Sequence, residues 1–212
     1  MAFALLHCRA AIGVDAPPVT IEVFLSGGLP TFNVVGLAQT AVRESKDRLR
    51  CALISSVFRF PRERITVNLG PADMPKSGGR FDLPIALGIL AASQQLPADE
   101  IDGTEFYGEL ALNGELRSVP GMLPAAIKAA TAGRRVVVPK ENGNEAALAG
   151  GGVHSASSLL EVTAMLHGQR LADLATVSCE EEAGTHDYPD LADVRGQAFA
   201  KRAIEIAAAG AH

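Results

Sequence analysis

Extended and helical segments follow one another along this chain without a strict strand–helix–strand repeat, and that mixture constrains the fold more than any single motif. It favours an α+β, or α/β layered, architecture. Two extended segments come first, at about 2–12 and 18–25. In the second, Val19, Ile21, Val23 and Leu25 alternate onto one face before a glycine pair. A helix is expected over 37–56, with Val42, Leu49, Leu53 and Val57 on one side. Arg43, Glu44, Lys46, Asp47, Arg48 and Arg50 cover the other, with Glu44 and Arg48 at pairing distance. Residues 64–69 (RITVNL) read as a strand, 70–80 as a loop, and 82–95 as an apolar helix for which Asp82 is a suitable N-cap.

Asn113-Gly114, between the short runs YGELAL and ELRSV, is a hairpin signal. A helix near 120–132, the strand RRVVVP, a short helix after Asn142, a short strand in GGGVHSA and a capped helix over 157–167 complete a first domain, 1–167. Residues 168–190 turn polar and acidic, with EEEAGTHDYPD at their centre, which is linker composition. Residues 191–212 then form one amphipathic helix without a partner, as expected of the opening helix of a truncated further module.

The net charge is −5, and much of the acid sits late, in Glu180, Glu181, Glu182, Asp187, Asp190 and Asp193. This argues against a wholesale basic nucleic-acid binder while leaving room for a local basic stripe. Aromatic residues make up 5% and Trp is absent, so stacking platforms for single-stranded nucleic acid are expected to be scarce. Cys8, Cys51 and Cys179 are odd in number and lack ligand spacing; they read as reduced thiols of a cytoplasmic protein. His7, His154, His167, His186 and His212 are scattered, and no metal site is expected. The apolar start is too short to span a bilayer and lacks the basic flank of a signal peptide, so it is read as a first strand, with no membrane partner.

The glycine-rich loop GPADMPKSGGR invites comparison with a phosphate cradle. A P-loop needs GxxxxGK[ST], and here Lys76-Ser77 precede Gly78-Gly79, so the order is wrong for nucleotide binding. The text MPKSGGRFDLPIALGILAAS, then YGELALNGELRSVPG, then MLPAAIKAATAGRRVVVPKEN resembles the proteolytic domain of the Lon protease family. That resemblance implies a Lon proteolytic-domain-like, ribosomal protein S5 domain 2-like fold. Matched residue by residue, it places Asp82 where the family carries its nucleophilic Ser and Ala125 where it carries the activating Lys. Lon-type hydrolysis needs a hydroxyl whose proton a nearby amine removes, and a carboxylate with a methyl cannot supply that pair. Ser77 and Lys128 are displaced from the matching positions, so no catalytic residue is expected.

A second resemblance covers nearly the whole chain. GLPTFNVVGLAQTAVRESKDRLRCAL (28–53) and NLGPADMPKSGGRFDLPIALGIL (68–90) are similar to the N-terminal part of magnesium-chelatase-like AAA+ ATPases of the ComM/YifB type. DLADVRGQAFAKRAIEIAAAGAH (191–212) resembles the leading helix of that family's AAA+ module. The resemblance implies a hexameric, cytoplasmic, ATP- and Mg2+-dependent branch-migration helicase acting on DNA in natural transformation and recombination. The Walker A, Walker B and sensor residues are missing here, so no cofactor is expected in this stretch itself. Its implied partners are its own AAA+ motor, further copies in a hexamer, and DNA.

If this stretch touches DNA, the cations of the 37–56 helix (Arg43, Lys46, Arg48, Arg50), the run Arg59, Arg62, Arg64, and the loop residues Lys76 and Arg80 are the candidates. Phosphate contact needs only positive charge gathered on one surface. Lys76 and Arg80 are favoured, because a glycine-rich loop can approach a backbone closely. The opposing reading is a solvated helix face whose cations pair with Glu44 and Asp47, in a domain that serves as a protein-interaction scaffold.

Overall fold

One helix, Asp82–Ala92, buries every residue it contains, and that dictates the layering. Apolar on all sides, it needs cover around its whole circumference. The structure is a computed structural model describing residues 2–36, 45–97, 99, 101–168 and 190–210. Contacts divide the chain into two units, Met1–Ser178 and Cys179–His212.

The helices of the first unit are α1 (Ser45–Ser55), α2 (Asp82–Ala92), α3 (Met122–Thr131), α4 (Gly143–Ala147) and α5 (Leu159–Leu166). Its strands are β1 (Ala2–Arg9), β2 (Pro18–Ser26), β3 (Thr31–Val35), β4 (Arg64–Gly70), β5 (Thr104–Phe106), β6 (Glu109–Leu110), β7 (Leu116–Arg117), β8 (Arg135–Pro139) and β9 (Val153–Ala156). Seven strands form one sheet in the order β3-β4-β2-β1-β5-β8-β9, and β6 pairs with β7 apart from it. β1 and β4 flank β2 antiparallel, whereas β3–β4, β1–β5, β5–β8 and β8–β9 are parallel. The mixed sheet agrees with the layered α/β expectation.

Helix α2 lies on β1 and β2 through Gly88. A Cβ there would sit 2.5 Å from Val23 Cγ2 and 2.9 Å from Leu6 Cδ1, so only glycine lets helix and sheet approach this closely. Leu6, Ile21, Val23, Val67 and Leu69 face the helix and are fully buried. Asp82 is not its N-cap. A short 3-10 turn, Gly79–Phe81, leads in, Phe81 occupies the cap position, and Asp82 is the first helical residue.

The Asn113-Gly114 hairpin is present, with Gly114 at φ +86, but five residues separate its strands, so β6 and β7 are shorter than expected. Helix α3 starts after Gly121, and its first two free amides, of Met122 and Leu123, donate to Glu145 Oε1 at 3.1 and 3.0 Å. Asn142 holds the Val119 backbone at both N–H and C=O. Ser158 caps α5 by accepting from the Glu161 amide. In the second unit, a turn at Leu191–Asp193 closed by a capping box at Asp190 precedes α6 (Ala198–Gly210). Helix α6 buries none of its residues, and Phe199 is 95% exposed. The interior of the expected linker, 169–189, lies outside the described residues.

Candidate functional site

Asp82 is sealed. Its carboxylate receives two hydrogen bonds from Arg48, Nε to Oδ2 at 3.1 Å and Nη2 to Oδ1 at 3.3 Å, and a third from the Leu110 amide. The Asp82 side chain is 2% exposed, that of Arg48 30%. Burial pushes the Asp82 carboxyl up to about 6, with the Arg48 hydrogen bonds and charge pulling the other way. Ala125 is buried in α3. The two positions expected from the Lon resemblance therefore hold an ion-paired carboxylate and a methyl group.

Of the two loop cations favoured from sequence for DNA contact, neither faces outward. Lys76 has no exposed surface; its ammonium donates to the Pro71 carbonyl of its own loop, and loss of hydration lowers its pKa against the opposing pull of Asp73. Arg80 is 2% exposed, and its guanidinium donates to the carbonyls of Arg9 (3.1 Å) and Pro120 (2.7 Å) while lying 5.6 Å from the centre of the Tyr107 ring. Arg80 is an interior tie, supplying the buried donor that carbonyls from two distant segments need, whereas Lys76 folds back onto its own loop.

Arg80 belongs to a buried polar network that sequence reasoning missed. Arg9 binds Glu105 through Nε–Oε2 and Nη2–Oε1, both 3.0 Å, and donates to the Ala16 carbonyl. Tyr107 donates its hydroxyl proton to Glu105 at 2.5 Å. Burial and the neighbouring Cys8 and Glu105 raise the Tyr107 hydroxyl well above its ordinary pKa, and burial pushes the Cys8 thiol up to about 12. Both stay protonated, so the network is a structural tie with no free nucleophile.

The outward-facing cations gather elsewhere. On α1, Lys46, Arg50 and Ile54 recur at intervals of four and form one stripe, whereas Arg48 turns inward to Asp82. Arg43 lies outside the described residues. The helix ends in a Schellman motif: the Val57 amide donates to Ile54 and the Phe58 amide to Leu53, with Val57 at φ +64. Expected on the buried face, Val57 is instead 88% exposed, since its backbone makes the turn. That reversal brings 58–63 back alongside the α1 stripe. Between them, and against Pro30–Phe32, lies a groove of about 690 Å³ that runs under the β3 edge of the sheet. Phe32, Phe58 and Phe60 line it, half-buried and packed against the hydrophobic core. Lys46, Arg50, Arg59 and Arg62 stand exposed around it, and among the described residues lining it the one carboxylate is Glu63. Arg64 is also exposed. Among the described residues no group of three His, Cys, Asp or Glu side chains is placed to hold a metal, and no helix is long and apolar enough to cross a membrane.

A mixed α/β domain with an ion-paired carboxylate at the head of its central helix and a cation-rimmed groove at its sheet edge is thus the class defined by fold and site. Residues 21–142 match the family described as subunit ChlI of Mg-chelatase, and the chain belongs to that family, in its ComM/YifB branch. Along its entire length it is 50% identical to competence protein ComM of Haemophilus influenzae, 48% to the uncharacterized protein YifB of Salmonella typhimurium and 38% to the uncharacterized protein Rv2897c of Mycobacterium tuberculosis. It spans 42% of the length of each of these relatives.

Proposed function

We propose that this chain is the N-terminal, non-hydrolytic part of a hexameric, ATP-dependent DNA-remodelling protein of natural transformation and recombination, and that its role is to contact DNA. In this reading it has a Lon-like core whose dyad is gone, and ATP and Mg2+ act in an AAA+ motor that is not part of these 212 residues. The observation supporting the DNA role is the groove beside α1, where, among the described residues, four exposed cations meet one carboxylate while Lys76 and Arg80 are turned inward. Similarity to a protein named for competence supports the same direction.

A salt series with labelled DNA tests it. Each phosphate contact adds a slope of roughly −0.7 to −0.9 in log K against log salt, so four contacts give about −3. Replacing Arg59 and Arg62 by Glu removes two cations and is expected to flatten that slope by about half. Absence of binding at low salt, where charge contacts are least screened, sinks the proposal and leaves the scaffold reading.

A further inference from the structure

Low aromatic content makes stacking platforms improbable on average, yet three of the eight phenylalanines meet in this one groove. The geometry points to a single-stranded nucleic-acid site, with unpaired bases seated on Phe58 and its neighbours and the phosphates held by Lys46, Arg50, Arg59 and Arg62. This assignment rests on the DNA-contact reading and narrows it to a strand type and a set of rings.

Three features carry it. The first is composition by position: half-buried Phe32, Phe58 and Phe60 and four exposed cations line the same groove, a combination that lets a backbone track positive charge while bases stack. Paired bases in a duplex hide their faces from such rings, so an aromatic lining is useful only to an open strand. The second is size. A groove of about 690 Å³ falls within the range that encloses drug-sized ligands, so a base with its sugar fits.

The third is rigidity. The segment bearing Phe58 and Phe60 is clamped at its midpoint by Gln95, three residues beyond the end of α2. The Gln95 carboxamide accepts from the Arg59 amide and donates to the Arg59 carbonyl, both at 2.8 Å. A second bond from the same nitrogen to Ser93 Oγ fixes the carboxamide itself. Arg50 also reaches over the Phe60 ring, 6.0 Å from its centre, which orders one of the cations against a ring. A platform fixed before binding loses little entropy when it takes a ligand. An acidic peptide would satisfy the cations, but it makes no use of three aromatic rings in one groove.

Fluorescence anisotropy on the whole 212-residue chain tests the assignment with four probes: oligothymidine, an abasic strand of equal length, a duplex of that length, and polyglutamate as competitor. Oligothymidine is expected to bind about 5- to 150-fold more tightly than the abasic strand, the range for one stacked base. Phe58→Leu keeps an apolar side chain in place while removing the ring; with an unchanged melting curve it is expected to erase that preference and leave the salt slope intact. Should oligothymidine, abasic strand and duplex bind equally, with charge reversal weakening all three, DNA contact stands and the single-strand assignment falls. Competition by polyglutamate as effective as that by oligothymidine overturns it in favour of an acidic peptide. No binding of any nucleic acid at low salt defeats both readings.

Discussion

Replacing Glu105 by Gln removes one charge from the most buried ion pair in the first unit, and the size of the loss follows from what stays behind. Arg9 keeps its charge with a side chain only 9% exposed, loses one of its two 3.0 Å hydrogen bonds to the NH2 that replaces an oxygen, and keeps a neutral amide oxygen and the Ala16 carbonyl as acceptors in place of a carboxylate. Tyr107 must then donate to a neutral amide in place of a carboxylate. Breaking one partner of a buried pair typically costs about 3–5 kcal/mol, because the remaining charge stays desolvated. For a unit of this size each kcal/mol lowers Tm by about 2–4 °C, so the expected drop is roughly 6–20 °C by calorimetry. The triple variant Arg9→Met, Glu105→Leu, Tyr107→Phe removes every charge and the dependent hydroxyl together, and is expected to recover most of the loss. A drop below about 2 °C for Glu105→Gln would refute the reasoning. So would singles whose costs simply add to that of the double Arg9→Met/Glu105→Gln within about 0.5 kcal/mol, since members of one network do not act independently.

Two further outcomes follow from local chemistry. Asp82 has its folded pKa raised from 3.8 to about 6, so the native state binds the extra proton between those values, and stability contributed by protonation is lost as pH rises through the window. The shift corresponds to about 3 kcal/mol at most; urea titrations at pH 4 and pH 7 are expected to show that dependence in the parent and its loss in Asp82→Asn. At Val57 a β-branched residue holds a left-handed conformation with its side chain in solvent, so Val57→Gly relieves strain without losing packing and is expected to stabilise by about 1 kcal/mol, read as a higher urea midpoint.

The elements legible in the sequence are those whose own residues decide them. The alternation in β2, the apolar run of α2 and the valines of β8 each specify one structure locally, and each is present. Strand β3 was missed because five residues, TFNVV, are too few for periodicity to speak; its pairing with β4, Phe32 beside Ile65 and Val34 beside Val67, makes it a strand. Strand β5 was missed for the same reason. Lys76 and Arg80 were misplaced because glycine-rich composition suggests exposure, whereas the partners that bury Arg80 lie 71 and 40 residues away in sequence. The groove combines both difficulties. Its walls come from 30–32, 46–54 and 58–63, and no window contains them all. What the sequence did carry was the interval of four linking Lys46, Arg50 and Ile54, a stripe hidden when every cation of the helix is counted on one face.

That stripe and the sealed Asp82 carboxylate are two consequences of one contact. Residues two apart on a helix point to nearly opposite sides. Fixing Arg48 on Asp82 therefore forces Lys46 and Arg50, two positions either way, to turn from the core and stand together one helical turn apart. A serine at position 82 could not hold a guanidinium in this two-pronged grip, because it has a single oxygen. The Asp82 carboxylate thus sets the rotation of α1 about its axis, and through it the cations that line the groove. The inward turn of Arg48 and the outward stand of Lys46 and Arg50 both trace to Asp82.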